Sequence, residues 1–363
     1  MVFAVMTYDP QNQREAKTMK RKILGMVLGA TASMIAATAA MAGTLDDVKT
    51  KGFVQCGVNP GLIGFGTPDA QNNWTGMDID YCRAVAAAIF NDPTKVKFTP
   101  LTAKERFTAL QSGEIDLLSR NSTWTMSRDT SLGLKFGGVM YYDGQGFMVR
   151  KSLNIDSALK LSGAAVCVQT GTTTELNLAD YFKANKMEYK VVAFEKEDEV
   201  IGAYEAGRCD VYSTDQSGVY AQRLKLSKPD DHMVLPEIIS KEPLGPVVRQ
   251  GDDAWFNVIK WTYYALVNAE ELGITQANIE EMKASPNPEI QRFLGVKNAD
   301  GTAAGFGTGI GLSEEWAAQI VKAVGNYGEV FERNVGTATP LKIARGKNAL
   351  WSAGGLQYAP PIR

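Results

Sequence analysis

Three short stretches carry side chains able to hold a small charged molecule. Ser119-Arg-Asn-Ser-Thr-Trp-Thr-Met-Ser-Arg128 is dense in hydroxyls and ends on an arginine. The planar fork of Arg128 suits a carboxylate, which it can hold by two parallel charge-assisted hydrogen bonds. Gln169-Thr-Gly-Thr-Thr-Thr-Glu175 opens a helix. There Gly171 lets backbone amides approach an anion, and the helix N-terminus adds its positive dipole. Asp215 places a carboxylate at an equivalent position. Each also has a plainer reading: Arg128 as a surface arginine, Thr172 or Thr173 as a helix N-cap, Asp215 as another cap. Together, a guanidinium and an amide nest match a carboxylate and an acid matches an ammonium, the complementarity an α-amino acid requires.

The elements that position these residues alternate between strand and helix. The patterns predict strands over Phe53–Val58, Lys95–Leu101 and Ile115–Leu118, with helices over Asp78–Phe90 and Ala103–Ser112. The order repeats as strand Ala164–Val168, helix Glu175–Ala184, strand Tyr189–Phe194, helix Glu197–Ala206 and strand Cys209–Ser213. Ala109-Leu-Gln-Ser-Gly113-Glu-Ile-Asp116-Leu-Leu-Ser119 aligns without gaps on Ala203-Tyr-Glu-Ala-Gly207-Arg-Cys-Asp210-Val-Tyr-Ser213, which points to an architectural duplication. Such alternation predicts an α/β fold of two lobes, each a mostly parallel sheet flanked by helices. Ligands of these sheets bind beyond the carboxyl ends of the strands, so the cleft between lobes is the expected site. Tyr142–Phe147 and Glu237–Pro246 supply two crossings, hence a hinge. The expected division is 43–143 plus 241–363 for the first lobe and 144–240 for the second.

With 363 residues, 45% hydrophobic and 21% charged, the chain can bury a sizeable core. A formal charge of −2 carries no basic footprint for nucleic acid. The single histidine, His232, excludes a multi-histidine metal site and leaves one candidate base for a hydrolase. Met19-Lys20-Arg21-Lys22, the apolar run from Ile23 to Ala37, and Ala40-Met41-Ala42 read as a secretory signal over residues 1–42, cut after Ala42. Met19 is an alternative start, and the competing reading is a membrane anchor, for which the apolar run is short. Cleavage removes five basic residues (Arg14, Lys17, Lys20, Arg21, Lys22) and two acidic ones (Asp9, Glu15), moving the charge from −2 to −5.

At this level of detail the chain resembles the periplasmic amino-acid-binding proteins of ABC uptake systems, specifically the general L-amino-acid-binding type. The resemblance is carried by Gly76-Met-Asp-Ile-Asp80, the three stretches above, Lys241-Glu-Pro-Leu-Gly-Pro246, Asn326-Tyr-Gly-Glu329, Glu332–Gly336 and Asn348-Ala-Leu-Trp351 through Tyr358–Arg363. It implies Arg128 as the carboxylate-binding arginine, with Asn121 and Thr123 as hydrogen-bond partners. It implies Thr172 and Thr173 as the cap from the other lobe, Asp215 as the partner of the ammonium, and an aromatic wall, for which Phe65 is the candidate and Trp74 the reserve. Arg120 departs from the broader pattern, where serine is common, and is open between facing a polar ligand side chain and pairing structurally. The implied protein is a monomeric, broadly specific clamp that delivers L-amino acids to an inner-membrane ABC permease and needs no cofactor.

Enzyme readings are weaker. The glycines at 305, 307, 309 and 311 lack the final glycine of a dinucleotide loop, where Leu312 stands, and Gly346-Lys347 lacks the rest of a phosphate loop. A secreted dehydratase on the same two-lobe fold is the serious alternative. Export favours disulfides among Cys56, Cys82, Cys167 and Cys209. Three pairings are possible. The hinge selects Cys56–Cys82 and Cys167–Cys209, because either other pairing ties one lobe to the other; four buried thiols are the remaining alternative.

Overall fold

Gly76 sets the first long element. At φ 132° its backbone passes under Phe65, whose carbonyl oxygen would lie 2.1 Å from any Cβ there. Helix Met77–Phe90 starts at this point and closes on Asn91 in the left-handed conformation. The computed structural model of the protein describes residues 43–297, 301–302 and 306–363. The export segment expected over 1–42 lies outside the described residues.

The strands of the first half are β1 (Val54–Val58), β2 (Thr67–Pro68), β3 (Trp74–Thr75), β4 (Val96–Pro100), β5 (Leu117–Leu118), β6 (Leu134–Phe136) and β7 (Tyr141–Asp143). Then come β8 (Gln145–Arg150), β9 (Ala165–Gln169), β10 (Lys190–Phe194), β11 (Val211–Asp215), β12 (His232–Val234), β13 (Glu242–Leu244) and β14 (Val247–Arg249). One sheet has the order β4-β1-β5-β14-β6 and the other β10-β9-β11-β8-β12. In each, three strands are parallel and the last two are added antiparallel. The sheets are therefore more mixed than strand–helix alternation implies. The antiparallel pairings are those of β8 and β14, the strands that enter each sheet directly after β7 and β13. Those preceding strands pair with each other, Glu242 opposite Asp143 and Leu244 opposite Tyr141, so the two crossings form one ribbon between the sheets.

Several element ends differ from expectation. Helix Arg106–Ser112 begins three residues late, because Thr102 and Glu105 hydrogen-bond reciprocally and hold the intervening residues in a turn. Helix Thr173–Ala184 begins two residues early. The strand expected over Cys209–Ser213 is shifted to Val211–Asp215, so Asp215 both ends β11 and precedes helix Gln216–Arg223.

The C-terminal third builds the core of the first lobe. Helix Asp253–Glu271 is capped by Asp252, and the Trp255 indole donates to Asp116 O at 2.9 Å. Helix Trp316–Val324 packs on Met77–Phe90, and Arg333 and Asn334 both donate to Asp80, at 2.7 Å each. Disulfides join Cys56 to Cys82 and Cys167 to Cys209, with Cα–Cα distances of 6.3 and 5.7 Å. No helix among the described residues is long and apolar enough to cross a membrane.

Candidate functional site

The carboxyl ends of the parallel strands converge on one cleft: Asn59 follows β1, Arg120 and Asn121 follow β5, Gln169 ends β9 and Asp215 ends β11. Its inner compartment, about 20 Å³, is walled by Arg106, Arg120 and Asn121 on one side and by Thr173, Glu197 and Asp215 on the other. An outer compartment of about 190 Å³ shares Asn59, Gln169 and Glu197 with it and adds Thr102 and Lys196. The inner space is of water size.

The guanidiniums all come from the first lobe. Arg106, Arg120 and Arg128 are 3, 2 and 7% exposed. Arg120 Nε donates to Leu101 O at 2.8 Å, and burial lowers its pKa to about 10. Arg106 opens its helix, reaches Arg120 O with Nη1 at 3.4 Å, and has no partner for Nε. Burial, then the neighbouring guanidiniums of Arg120 and Arg128, pushes its pKa far down. Arg128 stands behind Thr123 rather than on the inner wall. Its Nη1 donates to Thr123 O at 2.9 Å and its guanidinium lies 4.9 Å from the Phe107 ring. Burial lowers its pKa while Glu242 and Asp215 oppose that shift.

The acids belong mainly to the ribbon and the second lobe. Glu242, buried on β13, accepts from Thr123 Oγ1 at 2.6 Å and Thr173 Oγ1 at 2.8 Å, one residue from each lobe. Asn177 Nδ2 and Ser240 Oγ occupy its other oxygen, each at 2.6 Å. Asp215 makes no side-chain cap bond, and burial followed by the nearby carboxylates of Asp143 and Glu242 raises its pKa well above the usual carboxylate range. Glu197 accepts from the Tyr212 hydroxyl and is pushed up by burial. Asp78 accepts from Ser119 Oγ and Asn121 N, both at 2.9 Å, and burial raises its pKa to about 6. That bond holds Asn121 at φ 30°, a strained backbone kept only where its surroundings over-determine it. No cluster of His, Cys, Asp and Glu among the described residues is arranged to hold a metal.

The structure thus brings Asn121, Thr123, Thr172, Thr173 and Asp215 to one cavity, from both of its sides. Gly171, at φ 74°, abuts the Lys104 backbone of the other lobe instead, where a Cβ would come within 3.2 Å. Neither aromatic candidate reaches the cavity. Phe65 is drawn under the helix start by the Asp78 N–H bond to its carbonyl and stacks edge-on against Tyr141, while Trp74 packs on Phe98. Sequence reasoning missed Arg106, Glu197 and Glu242. Arg106 had a signal, since it lies just past the end of β4, as other cleft residues lie past theirs.

The sequence pattern of the bacterial extracellular solute-binding proteins, family 3, matches residues 54–278. The chain belongs to that family. Within this solute-binding family it is 66% identical, over 95% of its length and all of the relative's, to a general L-amino acid-binding periplasmic protein, AapJ, of Rhizobium johnstonii. It is 56% identical to a glutamate/glutamine/aspartate/asparagine-binding protein, BztA, of Rhodobacter capsulatus, over 91% of this chain and 96% of that one. A solved structure of a periplasmic binding protein from Brucella ovis with glutathione bound superimposes with a TM-score of 0.86. It is 64% identical and covers 89% of this chain and 100% of its own.

Proposed function

We propose that this solute-binding protein is the periplasmic receptor of an ABC uptake system, taking up L-amino acids of varied side chain in the inter-lobe cleft and presenting them to the inner-membrane permease. The observation that carries the reading is the division of charge around one cavity, guanidiniums on one lobe and Asp215 on the other. Arg128, behind Thr123 in this arrangement, joins Thr123 and Asn121 in taking the α-carboxylate from the first lobe once the lobes part, and Thr172 and Thr173 cap it from the second. Asp215 takes the α-ammonium. The relatives' printed names support amino acids as the ligand class. The protein acts as a monomeric clamp rather than an enzyme, exported by a signal cut after Ala42, with residues 43–143 and 241–363 as one lobe and 144–240 as the other.

Binding to one lobe followed by engagement of the other shifts the open–closed equilibrium, with the β7–β13 ribbon as hinge. In the closed arrangement Glu242 holds both Thr123 and Thr173, so opening separates two hydroxyls from one carboxylate. Calorimetry of ligand-stripped protein against the twenty amino acids tests the reading. Stoichiometric binding of several is expected, and binding of none contradicts it.

A second reading is favoured by the outer compartment and by the glutathione in the Brucella ovis structure. A γ-glutamyl peptide presents the same α-ammonium and α-carboxylate, with its remainder extending as a side chain would. Glutathione titrated alongside the amino acids separates the two.

A further inference from the structure

Arg120 and Glu197 face the inner compartment from opposite lobes. Each is tethered to its own lobe in a way that leaves charge over the cavity. Arg120 is anchored through Nε to Leu101 O, and among the described residues no acceptor is hydrogen-bonded to its terminal nitrogens. Glu197, the first residue of helix Glu197–Glu205, is held through one oxygen by the Tyr212 hydroxyl. Arg120 is the strongest opposite charge acting on Glu197, and the converse also holds. Yet no hydrogen bond joins them. A buried pair kept for structure needs direct, well-satisfied contact to offset its desolvation, and this pair lacks it. Arg106, with its unpartnered Nε, adds a second guanidinium on the Arg120 side. Glu197 also borders the outer compartment, so a long side chain passes it.

We propose that Arg120 and Glu197 form an amphoteric side-chain reader: an acidic side chain takes the guanidinium, a basic one takes the carboxylate, and a neutral one leaves the two charges facing each other. This rests on the amino-acid reading above and adds how one cleft tolerates side chains of either charge. Specificity then depends on the balance between two opposed groups, and removing either one tilts it.

The test is calorimetry of the purified protein and its Glu197→Gln and Arg120→Gln variants with arginine, glutamate and alanine. Each affinity is expressed relative to alanine in the same variant, and folding is checked by thermal melting. Glu197→Gln should lower the arginine-to-alanine ratio by roughly tenfold or more and raise the glutamate-to-alanine ratio; Arg120→Gln should do the reverse. If Arg120→Gln does not fold, Glu197→Gln decides alone, since glutamine keeps the shape and can still accept from Tyr212. Ratios that stay within about twofold, or that move in the same direction, overturn the proposal. If the unmodified protein binds no amino acid, the functional reading fails and takes this inference with it. If it binds them and the ratios do not cross, only the inference fails.

Discussion

The two lobes share a plan and divide the chemistry. Each sheet places three parallel strands beside two antiparallel ones, and in each the first antiparallel strand enters straight from the ribbon. The charges they present differ. The first lobe brings Arg106, Arg120 and Arg128 to the cleft region, whereas the second brings Glu197 and Asp215. On the proposed reading the shared topology sets where a ligand sits, and the divergent loop residues after the strands decide what it is. On this account an amino acid satisfies both halves only when the lobes meet, so its zwitterion couples binding to closure.

The largest effect should come from deleting the arginine proposed to hold the α-carboxylate. With alanine as ligand, Arg128→Ala should cost about 2–5 kcal/mol of binding, several-tens-fold or more in affinity, and Arg120→Ala much less. Calorimetry gives the ranking, and the opposite order would assign the carboxylate to Arg120.

Next in size are the disulfides, which sharpen the comparison by acting within lobes. Replacing Cys56 and Cys82, or Cys167 and Cys209, by serine should cost roughly 2–4 kcal/mol of stability in urea titrations while leaving alanine affinity within about twofold. Non-reducing peptide mapping offers a harsher check. A bridge from Cys56 or Cys82 to either Cys167 or Cys209 would tie the lobes together and end the hinge description.

The smallest effect concerns pH. Asp78 is buried with a pKa of about 6 in the folded protein against an ordinary value of 3.8. The folded state therefore holds its proton more tightly than the unfolded chain. Stability from this group is present below about pH 4 and is lost as pH rises toward 6, by about 2–3 kcal/mol at most. The difference in stability between the protein and Asp78→Asn should change sign or slope across that window in denaturant titrations, and a constant difference would show that Asp78 does not titrate there.

Strand ends were the legible part of this site. A strand followed by hydroxyls or glycine marks a cleft edge whatever the tertiary packing, which is why the stretches 119–128 and 169–175 and Asp215 could be picked out from pattern, while Asn121 and Thr123 were singled out by the family resemblance. Phe65 shows the limit. Its burial follows from Gly76 at φ 132° and a backbone bond to Asp78, a close approach that no periodicity encodes. Arg106 was hidden because the helix was expected from Ala103, which placed it in a helix interior instead of at the start. Glu242 was invisible as a bridge between Thr123 and Thr173, since its four donors come from Thr123, Thr173, Asn177 and Ser240, which only the folded ribbon gathers.

The central claim is that Asp215 requires an ammonium to complement the arginines opposite it. Glutamate and 2-oxoglutarate share both carboxylates and differ at the α-position, so their affinities measured by calorimetry on the same ligand-stripped protein test it most directly. Much tighter binding of glutamate is predicted, because 2-oxoglutarate leaves Asp215 facing it unpaired. Equal affinities would contradict the account.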